Sequence, residues 1–272
     1  KQYAQLDVRI KYIDKINEGP SLSRKSGTEQ AKGKYIQYLD SDDFLQENAI
    51  EYLTDKAEAT NAEVVAAPFF FYYSENKMDI SGHFSFQEMT GMEYFNEILS
   101  GRAYWSVWSN FLSRSLFERN DISFVPEISF GEDAILMVQL LYHTQKVVAL
   151  EQPILYYRQI ESSICHDITP KRHEDLRTYT KWIERFMIEK GLYESYRNNL
   201  ILKNIEMAFL CMHWGYYENA DKDMKRIVKD IKKRPQLLKC LPGRQRKIIK
   251  VYRFSSWLGF LNLMHYKKQG KL

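Results

Sequence analysis

Lys34-Tyr35-Ile36-Gln37-Tyr38-Leu39-Asp40-Ser41-Asp42-Asp43 is the stretch on which the fold reading turns. Its aromatic and β-branched residues read as a buried strand. The strand ends in three carboxylates within four positions. Charge that dense where a strand leaves a sheet is costly unless something positive lies against it. In open α/β sheets, ligands bind at the carboxyl ends of the strands, so a site belongs here. Hard carboxylate oxygens at this spacing suit Mg²⁺ or Mn²⁺, and a divalent ion so placed grips a diphosphate. A solvated acidic turn, with Asp42 or Asp43 capping the next helix, fits the same residues.

Working outward, residues 6–13 alternate apolar and polar, as a half-buried strand does. A turn-rich loop, Asn17-Glu18-Gly19-Pro20-Ser21, precedes a short helix over 22–33. Helical spacing of Leu45, Ala49, Ile50, Leu53 and Ala57 predicts a helix over 44–59. A second apolar strand follows over 64–73, interrupted at Pro68. Strand, helix, strand, helix, strand argues a parallel sheet covered by helices. Residues 74–89 read as a loop. Thr90-Gly91-Met92-Glu93 is a capping box opening a helix that stops near Gly101. The apolar run 134–144 is a further helix, followed by strand-like runs at 146–150 and 153–158. Thr169-Pro170, an N-cap followed by proline, marks the boundary between residues 1–168 and an α-helical region, 169–272.

Composition narrows the classes. A 44% hydrophobic share over 272 residues supports a full core. No apolar run is long enough to span a bilayer, and no signal peptide opens the chain. Cys165, Cys211 and Cys240 form neither a zinc pattern nor a disulfide framework, which fits a reducing cytoplasm. The basic excess is local: residues 222–250 hold twelve Lys or Arg against two Asp. With the apolar stretch 254–264, it makes a basic amphipathic end. Such a helix either lies on an anionic membrane, here the inner face of the cell membrane, or packs its apolar face on the protein. No recognition motif accompanies the charge, so nucleic acid is not expected as a partner.

Five stretches in order resemble the bacterial, inverting family 2 glycosyltransferases. They are Asn17-Glu18-Gly19-Pro20-Ser21-Leu22-Ser23-Arg24-Lys25-Ser26-Gly27, Ala31-Lys32-Gly33-Lys34-Tyr35-Ile36, Asp40-Ser41-Asp42-Asp43, Phe130-Gly131-Glu132-Asp133, and Pro153-Ile154-Leu155-Tyr156-Tyr157-Arg158 with Ser162-Ser163-Ile164. The resemblance covers roughly residues 6–168. It implies a Rossmann-like GT-A fold: a mixed, mainly parallel sheet flanked by helices, here with a C-terminal α-helical appendage. Two departures stand out. Lys25 replaces the usual Asn, and the strand with a Pro-x-Tyr-Asn turn that holds the base has no counterpart, so a truncated member is expected.

What the resemblance implies for the site follows residue by residue. Asp42 is the expected metal ligand, and Asp40 contacts the ribose or the metal, with Mn²⁺ or Mg²⁺ bridging the diphosphate. Ser21 and Arg24 face the donor, where a planar guanidinium suits phosphate. Asp133 is the expected general base, with Glu132 next in line, and one base predicts inversion. Arg158 either reaches phosphate or pairs with an acid inside the fold. His166 is a candidate metal or phosphate contact, and Trp108 a candidate face for the acceptor sugar, although tryptophans in apolar segments more often pack in cores. The implied reaction moves a sugar from a nucleotide-diphosphate sugar, a UDP-sugar first, to a glycan or lipid-linked acceptor in cell-surface polysaccharide synthesis. A sugar nucleotidyltransferase usually opens with a Gly-rich loop that this chain lacks; a non-catalytic scaffold on the same fold is the other reading. A calcium loop starting at Asp40 fails, because Phe44 and Leu45 occupy positions that need an oxygen ligand and glycine.

Overall fold

A computed structural model describes residues 1–160 and 169–268. The chain divides into two units, residues 1–89 with 106–158, and residues 90–105 with 159–272.

The first unit begins with α1 (Gln2–Leu6) and α2 (Gly19–Gln30), then β1 (Tyr35–Ile36), β2 (Phe44–Leu45), α3 (Ala49–Thr60), β3 (Val64–Ala66), β4 (Phe70–Ser74), β5 (Lys77–Ile80) and β6 (Glu88–Met89). The chain leaves for α4 (Gly91–Leu99) in the second unit. It returns through a 3₁₀ turn (Val107–Ser109) to β7 (Asn110–Ser113), α5 (Ser115–Glu118), α6 (Glu132–His143), β8 (Val147–Ala149) and β9 (Leu155–Arg158).

The strands form two mixed sheets, ordered β1-β7-β3-β8-β6 and β2-β9-β4-β5. Helices flank them, as an α/β fold requires. The parallel pairings among the described strands are β3 with β8 and β4 with β9. The parallel share is smaller than the strand-helix alternation suggests because β7, not read as a strand, inserts antiparallel between β1 and β3. Edge strands β5 and β6 likewise come from the stretch read as a loop, since polar residues at a sheet edge leave little apolar signal.

Pro68 explains the split of the run 64–73. It has no N–H to donate, but its carbonyl accepts from Ile154 N–H at 3.0 Å. Ala67 N–H still bonds within the first sheet, to the Ser109 carbonyl, while Phe69 N–H donates to Ser81 Oγ. The chain therefore changes sheets at the proline. In the second sheet Tyr156 stacks between Phe44 and Phe70, at 4.6 and 5.1 Å, and both are its cross-strand partners. Such aromatic pairs stabilise register as well as burying area.

Two expectations fail here. Residues 6–13 are not a strand: Leu6, Val8, Ile10 and Tyr12 are exposed, and the segment pairs with no strand among the described residues. Alternation specifies which side a strand would bury, but a strand also needs a neighbour for its backbone. The helix expected over 44–59 begins at Ala49 instead, because Phe44 and Leu45 pair with β9.

The second unit is helical: α4, then α7 (Pro170–Glu189), α8 (Tyr193–His213), α9 (Tyr217–Lys233), α10 (Gly243–Phe254) and α11 (Ser256–Lys268). Residues 90–105, expected with the first domain, cluster here because α4 packs on α8. Phe95 meets Tyr196 edge to face at 5.7 Å, and Asn199 donates to Asn96 Oδ1 at 2.6 Å. Both expected caps form. Thr90 Oγ1 accepts the Glu93 N–H while Glu93 returns a bond to the Thr90 N–H, and Thr169 accepts from Arg172 N–H. Among the described residues no helix is long and apolar enough to cross a membrane.

Thr90→Ala removes the reciprocal cap of α4 and is expected to cost about 1 kcal/mol in urea unfolding. Thr90→Ser, which keeps the hydroxyl, is expected to recover most of it.

Candidate functional site

Arg24 is the hub of the first unit's acidic cluster. It lies on α2 with its side chain only 11% exposed. Nη1 stands 2.6 Å from Glu132 Oε1 and 2.8 Å from Asp133 Oδ1, and Nη2 donates to Asp40 Oδ1 at 3.2 Å. The acidic loop after β1 and the first turn of α6 thus meet at one guanidinium. Gly131, at φ 88°, precedes α6 in the left-handed region that glycine adopts without strain. This sharp entry sets Glu132 and Asp133 on the first turn, where the helix dipole favours negative charge.

Asp133 is held from a second side: the Val107 N–H donates to its Oδ2 at 3.2 Å. Burial pushes Asp133 up to about 7; Arg24 opposes the shift, and Glu132 adds to it. Burial works against the charge on Arg24, but Asp133, Glu132 and Asp40 outweigh it and hold the guanidinium above its ordinary value.

The acidic loop is a tight turn, with the Asp43 N–H on the Asp40 carbonyl at 3.1 Å. Asp43 is buried, and its Oδ1 accepts the Arg158 N–H at 2.9 Å, tying the loop to β9. Asp43 therefore caps no helix. Burial pushes it up to about 6; the Arg158 N–H opposes, and the charges of Asp42 and Asp40 add. Asp42 is half-buried and makes no ion pair among the described residues.

The other expected site residues scatter. Ser21 is buried one turn before Arg24. The Arg158 guanidinium lies over the Phe44 ring, 5.4 Å from its centroid, while its backbone alone serves the acidic loop. Trp108 corrects the reading of an acceptor platform. It is 7% exposed, edge-on to Phe69 at 4.7 Å and stacked on Tyr157 at 5.1 Å, so its faces belong to the core. His166 lies outside the described residues.

Sequence reasoning missed two contributors. The Val107 N–H gives no sequence signal at all. Tyr38 shares a 2.6 Å hydrogen bond with Thr28 Oγ1, and burial pushes its hydroxyl up to about 12. Tyr38 and Thr28 line an open cleft of about 580 Å³ with Pro20, Arg24, Leu39 and Asp40.

Among the described residues no group of three or more His, Cys, Asp or Glu is arranged to hold a metal ion. Asp40 and Asp42 offer hard oxygens that suit Mg²⁺ or Mn²⁺ only if a substrate supplies the remaining ligands, as phosphates commonly do.

Residues 1–122 match the family model described as Glycosyl transferase family 2. The chain is 25% identical over 240 residues to the uncharacterized glycosyltransferase EpsJ of Bacillus subtilis (strain 168), covering 85% of this chain and 69% of that protein. It is also 25% identical over 242 residues to the minor teichoic acid biosynthesis protein GgaB of the same strain, covering 86% of this chain and 25% of GgaB. In structure it resembles S. aureus TarS 1–349, with a TM-score of 0.62 and 15% identity over 93% of this chain and 72% of that one. Against the same protein in complex with UDP-GlcNAc the TM-score is 0.56 and the identity 12%, over 100% of this chain and 80% of that one. Likeness at such identity carries the fold.

Arg24→Gln leaves three carboxylates without their cation. It is expected to cost roughly 3–5 kcal/mol near neutral pH. Asp133, no longer restrained by Arg24, then titrates higher in the folded state than in the wild type. The penalty therefore shrinks between about pH 8 and pH 6, as Asp133 takes up its proton near 7. Urea unfolding of both proteins across that range checks the slope. A penalty independent of pH would mean the guanidinium contributes packing alone.

Proposed function

Because residues 1–122 match the model of glycosyl transferase family 2, we propose that the chain moves a sugar from a nucleotide-diphosphate sugar to a glycan or lipid-linked acceptor, with inversion at the anomeric carbon. One observation carries the reading: Arg24 touches Asp40 on one side and Glu132 and Asp133 on the other. A donor-side acid and the candidate base therefore share one cation, and that cation lines the open cleft with Asp40.

In this reading Asp133 is the general base. A carboxyl poised near 7 is half ionised at neutral pH, close to the best compromise between being free to take a proton and being basic enough to hold it. The acceptor oxygen attacks the anomeric carbon while its proton passes to Asp133. The bond from that carbon to the diphosphate breaks, and the electron pair leaves with the nucleotide diphosphate. The Val107 N–H fixes Oδ2, which leaves Oδ1 toward Arg24. Arg24 stands ready to pair with phosphate, where its fork matches two oxygens. Asp40 and Asp42 are the proposed ligands of Mg²⁺ or Mn²⁺, which supplies Lewis-acid neutralisation of the leaving charge when bound. A single base fits a single displacement, hence inversion.

A UDP-sugar is the proposed donor class, supported by the TarS complex with UDP-GlcNAc. A cell-surface polymer is the proposed product, supported by the similarity to GgaB, a minor teichoic acid biosynthesis protein. A cytoplasmic setting goes with the free thiols Cys211 and Cys240.

Asp133→Asn is expected to keep donor binding, read as a Mn²⁺-dependent thermal shift with a UDP-sugar panel, and to lose transfer by roughly a hundredfold or more. In the unsubstituted chain kcat/KM should rise with pH through about 7, as Asp133 loses its proton. Full transfer by Asp133→Asn would move the base elsewhere. Absence of nucleotide binding would favour a scaffold.

A further inference from the structure

The last two helices of the second unit bury one side completely and leave aromatic side chains in water on the other. On α10, Ile248, Ile249 and Tyr252 face inward. Lys247, Lys250 and Phe254, spaced by three and four, share the opposite face, and Phe254 is 86% exposed. On α11 the inward residues are Gly259 and Leu263. A Cβ at Gly259 would stand 2.4 Å from the Tyr252 ring, so only glycine lets α11 lie this close. The Tyr252 hydroxyl donates to Asp221 Oδ1 at 3.1 Å, which fixes the ring beneath α11. This docking turns Trp257, Leu258 and Leu261 outward, with Trp257 67% exposed. Ile248, Ile249 and Leu263 are fully buried, so the outward residues are a second apolar face rather than the overflow of a loose core.

Charge identifies what covers that face. After Asp230 the chain carries twelve Lys or Arg and no Asp or Glu. Lys247, Lys250 and Arg253 make no ion pair among the described residues. The outward face of α9 adds Lys222, Lys225, Arg226, Lys229, Lys232 and Lys233 at helical spacing, of which Lys225 pairs with Asp221 and Arg226 with Glu184.

We propose that the α10–α11 hairpin docks on an anionic lipid bilayer. Phe254, Trp257, Leu258 and Leu261 enter the headgroup boundary, and the lysines stay at the phosphate level. A second copy would set one acid-free segment against another, and like charges across a two-fold contact repel. A polyanion with no apolar part leaves Leu258 and Leu261 unexplained. The surface does not depend on the transfer chemistry, so vesicle binding and donor binding fail separately.

The test is co-sedimentation of the full chain with vesicles of phosphatidylcholine containing phosphatidylglycerol, against phosphatidylcholine alone. Binding to the anionic vesicles only, weakened by salt, is the expected result. Phe254→Ser with Trp257→Ser should weaken it at least about tenfold by removing the inserted aromatics. Lys247→Gln with Lys250→Gln should do so by roughly the same factor. All four positions point away from the core, so circular dichroism and urea unfolding of the variants should match the wild type. No binding to anionic vesicles, or equal binding to neutral ones, overturns the proposal. So does self-association in solution that the Phe254→Ser/Trp257→Ser variant abolishes, since a second copy would then own the patch.

Discussion

The contact of one guanidinium with three carboxylates is the constraint on which the first unit rests. Asp40 ends the stretch after β1, while Glu132 and Asp133 open α6, far along the chain. Brought together without a cation, these groups would either repel or take up protons. Arg24 makes the convergence stable, and in doing so it fixes α2, of which only Ser21 is fully buried, against α6. The ion pairs have geometry that favours them: distances of 2.6 to 3.2 Å and one side chain serving both segments. An exposed pair of the same composition would contribute little. On the side of Glu132 and Asp133 water is mostly excluded, so breaking those pairs costs more than forming them gains, while Asp40 meets the open cleft.

Two carboxyls near this hub, Asp133 and Asp43, are pushed up by the same cause, burial, and restrained by different donors. A guanidinium restrains Asp133, and a backbone N–H restrains Asp43. The difference separates their work. A backbone donor from β9 makes Asp43 a tether between loop and sheet, unable to move without breaking the ladder. The guanidinium beside Asp133 carries full charge; in the proposed reaction an arriving diphosphate would compete for Arg24 and draw it from the carboxyl it restrains, linking donor arrival to basicity at Asp133.

Local signals were legible in the sequence, and long-range ones were not. The caps at Thr90 and Thr169 depend on residues three positions away, and both formed where the sequence placed them. The apolar run after Asp133 became α6 because one element buried it whole. The alternation at 6–13 failed since pairing requires a partner that no local pattern supplies. Trp108 became core through Phe69 and Tyr157, one on a loop between the sheets and one on β9. Arg24 and the acids were each readable as ordered motifs. Their mutual contact, and the Val107 N–H that steadies Asp133, came only with the tertiary fold.

The C-terminal helices show why amphipathy alone left two outcomes open. A basic, aromatic-rich segment packs on protein or lies on lipid with the same composition, and which side faces inward decides between them. Here both sides are occupied by different means. Tyr252 and Leu263 satisfy the inner face, and the close approach over Gly259 leaves no freedom for α11 to rotate Trp257 inward without driving a side chain into the Tyr252 ring. The outward aromatics are therefore held in place by the packing beneath them. A face that its own helix cannot hide stays open to a surface that approaches from outside, which is the role the proposal gives it.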